Sequence, residues 1–203
     1  MSYKKSYQIY IIGVGGQGTI KTATIIGEAA MAQGLNVVMS EVHGMAQRGG
    51  TVVTELKIGK DLSPLNEKYS ADLLLAFEPS ELLRAINVIG KNTNIIAGCS
   101  AIIPFTVSLG ISKYPDINQI IERLGKKINN LHLIDAERIA KEAGNIITAN
   151  IVILGAALVT PKFPVKKDLI IESLKQNLPA RSIDMNIKAL EMGYQEYSNI
   201  LNK

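Results

Sequence analysis

Ile9-Tyr10-Ile11-Ile12-Gly13-Val14-Gly15-Gly16-Gln17-Gly18-Thr19 is an apolar run that stops at a cluster of glycines. It reads as a strand, a tight turn and the start of a helix. Gly13, Gly15 and Gly18 keep the G-x-G-x-x-G spacing, in which glycines let the chain turn sharply, admit a ligand close to the backbone and bring helix against strand. Such a turn aims free amide N–H groups and the positive end of the helix dipole at one point, where an anion fits. The alternative is that the glycines only tighten the first crossover of an α/β sheet. A P-loop does not fit. Thr19 stands where the phosphate-binding lysine belongs, and the register that would place Lys21-Thr22 correctly puts Ile20 at a required glycine.

Working outward, Thr19 to Gln33 carries apolar residues at helical spacing, with Gly34 suited to its C-terminal cap. Leu35 to Met39 reads as a short second strand ending at Ser40-Glu41. In a dinucleotide fold the acidic residue that holds a ribose falls about 20 residues beyond the glycines, so Glu41 qualifies by position, although an acidic loop residue also serves simply as a solvated one. Ser40 to Gly50 is polar and glycine-rich between two apolar strands, and is expected to face the first glycine turn. Within it, His43 and Arg48 are the candidate donors. Gly49 and Gly50 clear space around the Arg48 guanidinium, whose fork matches a carboxylate or phosphate. Packing against a partner is the alternative role for this loop.

Further strands are expected at Thr51 to Ile58, Ala71 to Phe77, Asn94 to Gly98 and Leu131 to Ile134, and a helix capped by Ser80 runs to about Ile89. Glu78 ends a parallel strand, where ligands collect, but capping or pairing explains it equally well. Cys99 reads as a buried or half-buried thiol, and Ile102 to Tyr114 as irregular or edge β. Helices follow at Asp116 to Lys127, at Ala136 to Ala143 between Asp135 and Gly144, and at Asp168 to Asn177 and Ser182 to Asn199. Thr148 to Thr160 is apolar nearly all round, the mark of a helix buried within the fold or between subunits. That makes a lone monomer less expected, and a homodimer of the isolated chain one possible form. The pattern as a whole gives an α/β fold: a Rossmann-like, open, mainly parallel sheet flanked by helices, with a helical C-terminal region.

Composition narrows the function classes. With 203 residues, 47% hydrophobic and 20% charged, the chain is expected to form a single domain over 1–203. A net charge of +4 spread along the chain, with no Trp and three Phe, gives no dedicated nucleic-acid surface. No stretch reaches the roughly 18 apolar residues of a membrane span, and Met1 to Tyr7 lacks a signal-peptide core, so the expectation is a cytoplasmic protein. A single cysteine excludes an internal disulfide and, by itself, a four-thiolate iron–sulfur cluster.

The glycine turn, joined to Ser40-Glu41-Val42-His43-Gly44-Met45-Ala46-Gln47-Arg48-Gly49-Gly50, resembles the gamma-type subunit of thiamine-dependent 2-oxoacid:ferredoxin oxidoreductases, nearest the small (beta) subunit of indolepyruvate:ferredoxin oxidoreductases. Ala71 to Pro79, Asn150 to Leu158, and Asn186 to Leu190 with Gly193 also look like that family, so the resemblance covers nearly the whole chain. It implies oxidative decarboxylation of an aryl 2-oxoacid to an aryl-acetyl-coenzyme A, with electrons passing to ferredoxin. It also implies that thiamine diphosphate, its Mg and the iron–sulfur clusters sit on a larger partner subunit, with coenzyme A as co-substrate. The sequence agrees, having no Gly-Asp-Gly motif for a magnesium diphosphate, and the isolated chain is expected to be inactive. The expected contribution is an anion or coenzyme A site at the subunit interface from Gly13, Gly15, Gly16, Gln17, Gly18, Thr19 and Arg48, with Glu41, His43, Gln47, Gly49 and Gly50 around it. No residue is assigned a catalytic role and none a metal. Two other readings stay open: a free-standing nicotinamide- or flavin-dependent reductase, and a non-catalytic ligand sensor or scaffold.

Overall fold

The computed structural model describes residues 6–43, 50–60, 63, 67–125, 128 and 130–202. Its centre is β1 (Ser6–Val14), an apolar strand whose Ile9, Ile11 and Ile12 are fully buried. Residues buried on both faces of a sheet form near-continuous apolar runs, which is what Ile9 to Ile12 are. Around β1 the described residues form one six-stranded sheet. Its remaining strands are β2 (Val37–His43), β3 (Thr51–Gly59), β4 (Ala71–Ala76), β5 (Ile89–Gly98) and β6 (Leu131–Ile134), in the order β2-β3-β1-β4-β5-β6.

The half from β1 to β6 is parallel throughout. The other half is not: β3 lies antiparallel between β1 and β2, with Gly13 opposite Val52 and His43 also opposite Val52. The expected open, mainly parallel α/β sheet is therefore present, with an antiparallel strand inserted beside its first member. A short β2–β3 connection forces this, because residues 44–50 are too few for the crossover that a parallel pair requires.

Side chains alternate between the two faces, and each face has its own cover. Tyr7, Ile9 and Ile11 join Leu56, Leu73, Leu75 and Ile96 under a helical layer. That layer contains α1 (Thr19–Ala32), and the later helices α4 (Ala136–Ala143), α5 (Ala149–Ala157), α6 (Lys167–Asn177) and α7 (Ile183–Leu201). Tyr10, Ile12, Leu74, Ala76, Ile95 and Ala97 face the other way. They are covered by the 3₁₀ turn Pro79–Leu83 and by α3 (Ile117–Gly125), which contributes Ile120 and Leu124. A four-residue helix, α2 (Phe105–Ser108), precedes α3.

The apolar stretch of 148–160 resolves as α5, whose Ile151 to Ala157 are all buried within this chain, between the sheet and α7. Its all-round apolarity is thus satisfied internally and implies no second copy. Two glycines make the approach close. A Cβ on Gly155 would stand 2.0 Å from the Leu190 carbonyl oxygen, and one on Gly193 2.0 Å from that of Val152.

Several elements differ in extent from the sequence expectation. The second strand begins later and runs through His43, so Glu41 is a strand residue. Ser80 does not cap a long helix: Glu78 caps a 3₁₀ turn, its carboxylate accepting from the Glu81 N–H. The end of α4 is as expected, with Asp135 accepting from the Arg138 N–H and Gly144 closing the helix at φ 137°. No helix among the described residues is long and apolar enough to cross a membrane.

Candidate functional site

The carboxyl ends of the parallel strands meet at one edge of the sheet, where open α/β folds collect their ligands. The glycine turn stands there at the end of β1. Gly18 is the N-cap of α1, with φ 81° and no side-chain cap, a backbone region that costs other residues about 1–2 kcal/mol. Gly16 is also left-handed, at φ 105°, and faces open space. Two amides of the turn are occupied: Gly15 donates to the Gly50 carbonyl at 2.8 Å and Gln17 to the Val14 carbonyl at 3.1 Å. The N–H groups of Gly16, Gly18, Thr19, Ile20 and Lys21 have no acceptor among the described residues, since the first helical bond runs from Thr22 to Gly18. Unsatisfied donors of this kind, with the helix dipole behind them, make an anion site.

Gln17 turns its side chain inward. Its Oε1 accepts from the Val14 N–H at 2.9 Å and its Nε2 donates to the Phe77 carbonyl at 3.1 Å, stapling the turn to the end of β4. Gly13 permits this, because a Cβ there would come within 2.7 Å of that Oε1. Thr19 is 3% exposed, so its side chain is packed into the fold rather than turned toward the clefts. The bond from Gly15 brings Gly50, the last residue of the second glycine-rich stretch, to the first turn. Of that loop, Gln47, Arg48 and Gly49 lie outside the described residues, as does the His43 side chain. Glu41 is exposed, and β3 separates its strand from β1.

Two clefts open from the turn and share Gly16, Gln17, Ile147 and Asn150. The smaller, about 160 Å³, runs over the ends of β4 and β5 between Phe77, Gly98, Ile102 and Ile153. The larger, about 570 Å³, runs past the first turn of α1 to Asn145, Arg181 and Ser182. Asn150, on the first turn of α5, is fixed between them by donating to Thr22 Oγ1 at 3.3 Å. Lys21 and Arg181 both line the larger cleft, both are exposed, and neither has an acidic partner among the described residues.

Sequence reasoning set Lys21 aside with the P-loop register and missed Arg181. The helix period offers a signal for Lys21, since it sits in the first turn of α1. Arg181 reaches the cleft only through the packing of the C-terminal helices, which nothing in the sequence near it announces.

Two titratable groups near the strand ends have other roles. Cys99 is exposed rather than buried, because β5 ends at Gly98 and the chain leaves the sheet there. Partial desolvation and the Asp135 carboxylate nonetheless push its thiol up, away from the reactive thiolate. His132 packs edge-on against Tyr197 at 5.1 Å, and burial lowers its pKa. Among the described residues no three His, Cys, Asp or Glu side chains cluster to hold a metal.

Comparison with known proteins places this geometry. The model of the pyruvate ferredoxin/flavodoxin oxidoreductase family matches residues 8–196. The chain is 46% identical over 189 residues to the indolepyruvate oxidoreductase subunit IorB of Methanothermobacter thermautotrophicus, covering 93% of this chain and 96% of that one. Among solved structures it is similar to the gamma subunit of a keto/oxoacid ferredoxin oxidoreductase from Geobacter sulfurreducens, with a TM-score of 0.69 and 25% identity over 95% of this chain and 99% of that one. It shares its fold, at a TM-score of 0.73 and 19% identity over 97% of its length, with 32% of the chain of a 2-oxoglutarate:ferredoxin oxidoreductase from Magnetococcus marinus. The chain belongs to the pyruvate ferredoxin/flavodoxin oxidoreductase family, among its small, gamma-type subunits.

Proposed function

We propose that this chain is the small subunit of a cytoplasmic, thiamine-dependent indolepyruvate:ferredoxin oxidoreductase, in which it forms one gamma-type domain and supplies the coenzyme A side of the active cleft. The enzyme would decarboxylate an aryl 2-oxoacid oxidatively to the aryl-acetyl-coenzyme A and pass the electrons to ferredoxin. Thiamine diphosphate, its Mg and the iron–sulfur clusters belong on the larger partner. This chain's one cysteine falls short of the thiolates that a cluster requires.

The observation that carries the reading is the convergence, on one cleft, of Gly16 and Gly18, whose amides have no acceptor among the described residues, with the Lys21 and Arg181 cations. Amide donors at a helix N-terminus and guanidinium or ammonium groups are what the phosphates of coenzyme A require. Arg48, followed by Gly49 and Gly50, would add a further cation, with His43 and Gln47 lining the passage toward the partner's thiamine. Similarity to an indolepyruvate oxidoreductase subunit over nearly the whole chain supports the choice of substrate.

The sheet order counts against the nicotinamide reductase reading. With β3 between them, β1 and β2 lie two strand spacings apart, about 10 Å. Glu41 is thus displaced from the place where a dinucleotide fold holds a ribose beside the glycine strand, and its part is limited to the outer rim. Calorimetric titration of coenzyme A into the assembled complex tests the proposal. Arg48→Ala and Arg181→Ala should each weaken binding by about tenfold, the loss of one charge-assisted contact, and unchanged affinity in both would overturn it.

A further inference from the structure

Glu78 is 1% exposed, yet it stands at the carboxyl end of β4 beside the smaller cleft. A carboxylate so buried persists only when its oxygens are fully hydrogen-bonded. Four donors meet it. Ser80 Oγ donates at 2.5 Å and the Glu81 N–H at 3.2 Å to one oxygen. The other accepts from the Ile102 N–H at 3.4 Å and from the Tyr114 hydroxyl. Burial and this carboxylate together push the Tyr114 phenol up, so the donor keeps its proton.

The second pair of donors comes from residues 100–114. Residues 100–114 join no strand, are mostly exposed, and place Ile103, Leu109 and Ile111 in solvent. Their remaining hydrogen bonds are local, such as Val107 to Pro104 and Ile111 to Thr106. Among the described residues, every hydrogen bond that leaves the segment ends on Glu78 or beside it at Ser80. Ile102, held by its own N–H, forms part of the wall of the smaller cleft, which Ile147 and Asn150 also line.

We propose that Glu78 is a positioning residue: its carboxylate tethers residues 100–114 as a lip that sets the width of the smaller cleft, which joins the larger one at Gly16, Gln17, Ile147 and Asn150, and so governs how tightly coenzyme A reaching across that junction is held. The inference rests on the reading of this edge as the coenzyme A side, and it adds a part of the chain distinct from the glycine turn and from Lys21 and Arg181. Gln at this position keeps the shape but offers one acceptor oxygen where four donors converge, and Tyr114→Phe removes a lip donor alone.

Hydrogen exchange of the full-length chain, together with steady-state kinetics of the assembled complex, tests it. Glu78→Gln and the milder Tyr114→Phe should speed amide exchange in residues 100–114 about tenfold while leaving α1 and α5 unchanged. In the complex they should raise the KM for coenzyme A several-fold with kcat nearly constant. Unaltered exchange in both variants would overturn the tether. Faster exchange with an unaltered KM, where Arg181→Ala does raise it, would overturn the lip's role and leave the coenzyme A reading standing. If none of the lip, Arg48 and Arg181 variants moves that KM, the coenzyme A reading fails and this inference with it.

Discussion

Replacing Gly155 by alanine gives the sharpest test of how the helical layer is built. In an exposed helix the change would stabilise by about 1 kcal/mol, because alanine is the better helix former. Here the added Cβ would stand 2.0 Å from the Leu190 carbonyl oxygen and 2.9 Å from the Tyr194 nitrogen, where ordinary contact begins at 3.4 Å. Backbone atoms cannot rotate aside, so α7 has to retreat from α5. The retreat loosens Val152, Leu154, Leu190 and Tyr197, each fully buried. Overpacking of this kind costs about 1–3 kcal/mol, and a clash with backbone belongs at the upper end. After the propensity gain the expected net loss is about 2 kcal/mol, or about 4–8 °C in Tm for a chain of this length. Thermal and urea denaturation of the purified chain measure it directly. Gly193→Ala should behave alike, and the double variant should lose less than the two single losses combined, since either one already parts the helices. A midpoint that stays or rises in Gly155→Ala would refute the close approach of α5 and α7.

Two further outcomes concern the site and its surroundings. Gly16→Ala meets only the backbone penalty of its left-handed conformation, whereas Gly18→Ala also drives a Cβ to 2.7 Å from Asn150 Nδ2. Gly18→Ala should therefore be the more destabilising by chemical denaturation, and a larger loss in Gly16→Ala would contradict the turn described. His132 is kept neutral by burial, so its folded pKa lies below the ordinary value near 6.5. The unfolded chain takes up the proton first. Stability from this group is complete above about pH 6.5 and declines as the pH falls toward the folded value. Relative to His132→Phe, the wild-type protein should lose Tm between pH 7.5 and 5.5, and identical pH profiles would exclude the effect.

The parts of the molecule legible in the sequence are those decided by local chemistry. The run from Ile9 to Thr19 folds as strand, turn and helix because a continuous apolar run, positive-φ glycines and a helix start all lie within one short window. Asp135 and Gly144 bound α4 for the same reason. The uniform apolarity of α5 was legible as burial, but whether the cover is this chain or another depends on α7, far along the sequence. The place of β3 between β1 and β2 was not legible, since side-chain alternation does not say which strand a neighbour pairs with. Glu78 was recognised as a possible cap. Its burial depends on donors 24 and 36 residues away at Ile102 and Tyr114, beyond any local pattern. Arg181 is the same case at longer range, brought beside Lys21 by the packing of α5, α6 and α7.

The central claim is that this subunit provides a cleft for an anionic co-substrate and performs no electron transfer of its own. It is tested most directly by following ferredoxin reduction with indolepyruvate and coenzyme A in the presence of this chain alone, the larger subunit alone, and the two combined. Reduction is predicted only from the combination. Reduction by this chain alone at the rate of the combination would contradict the claim.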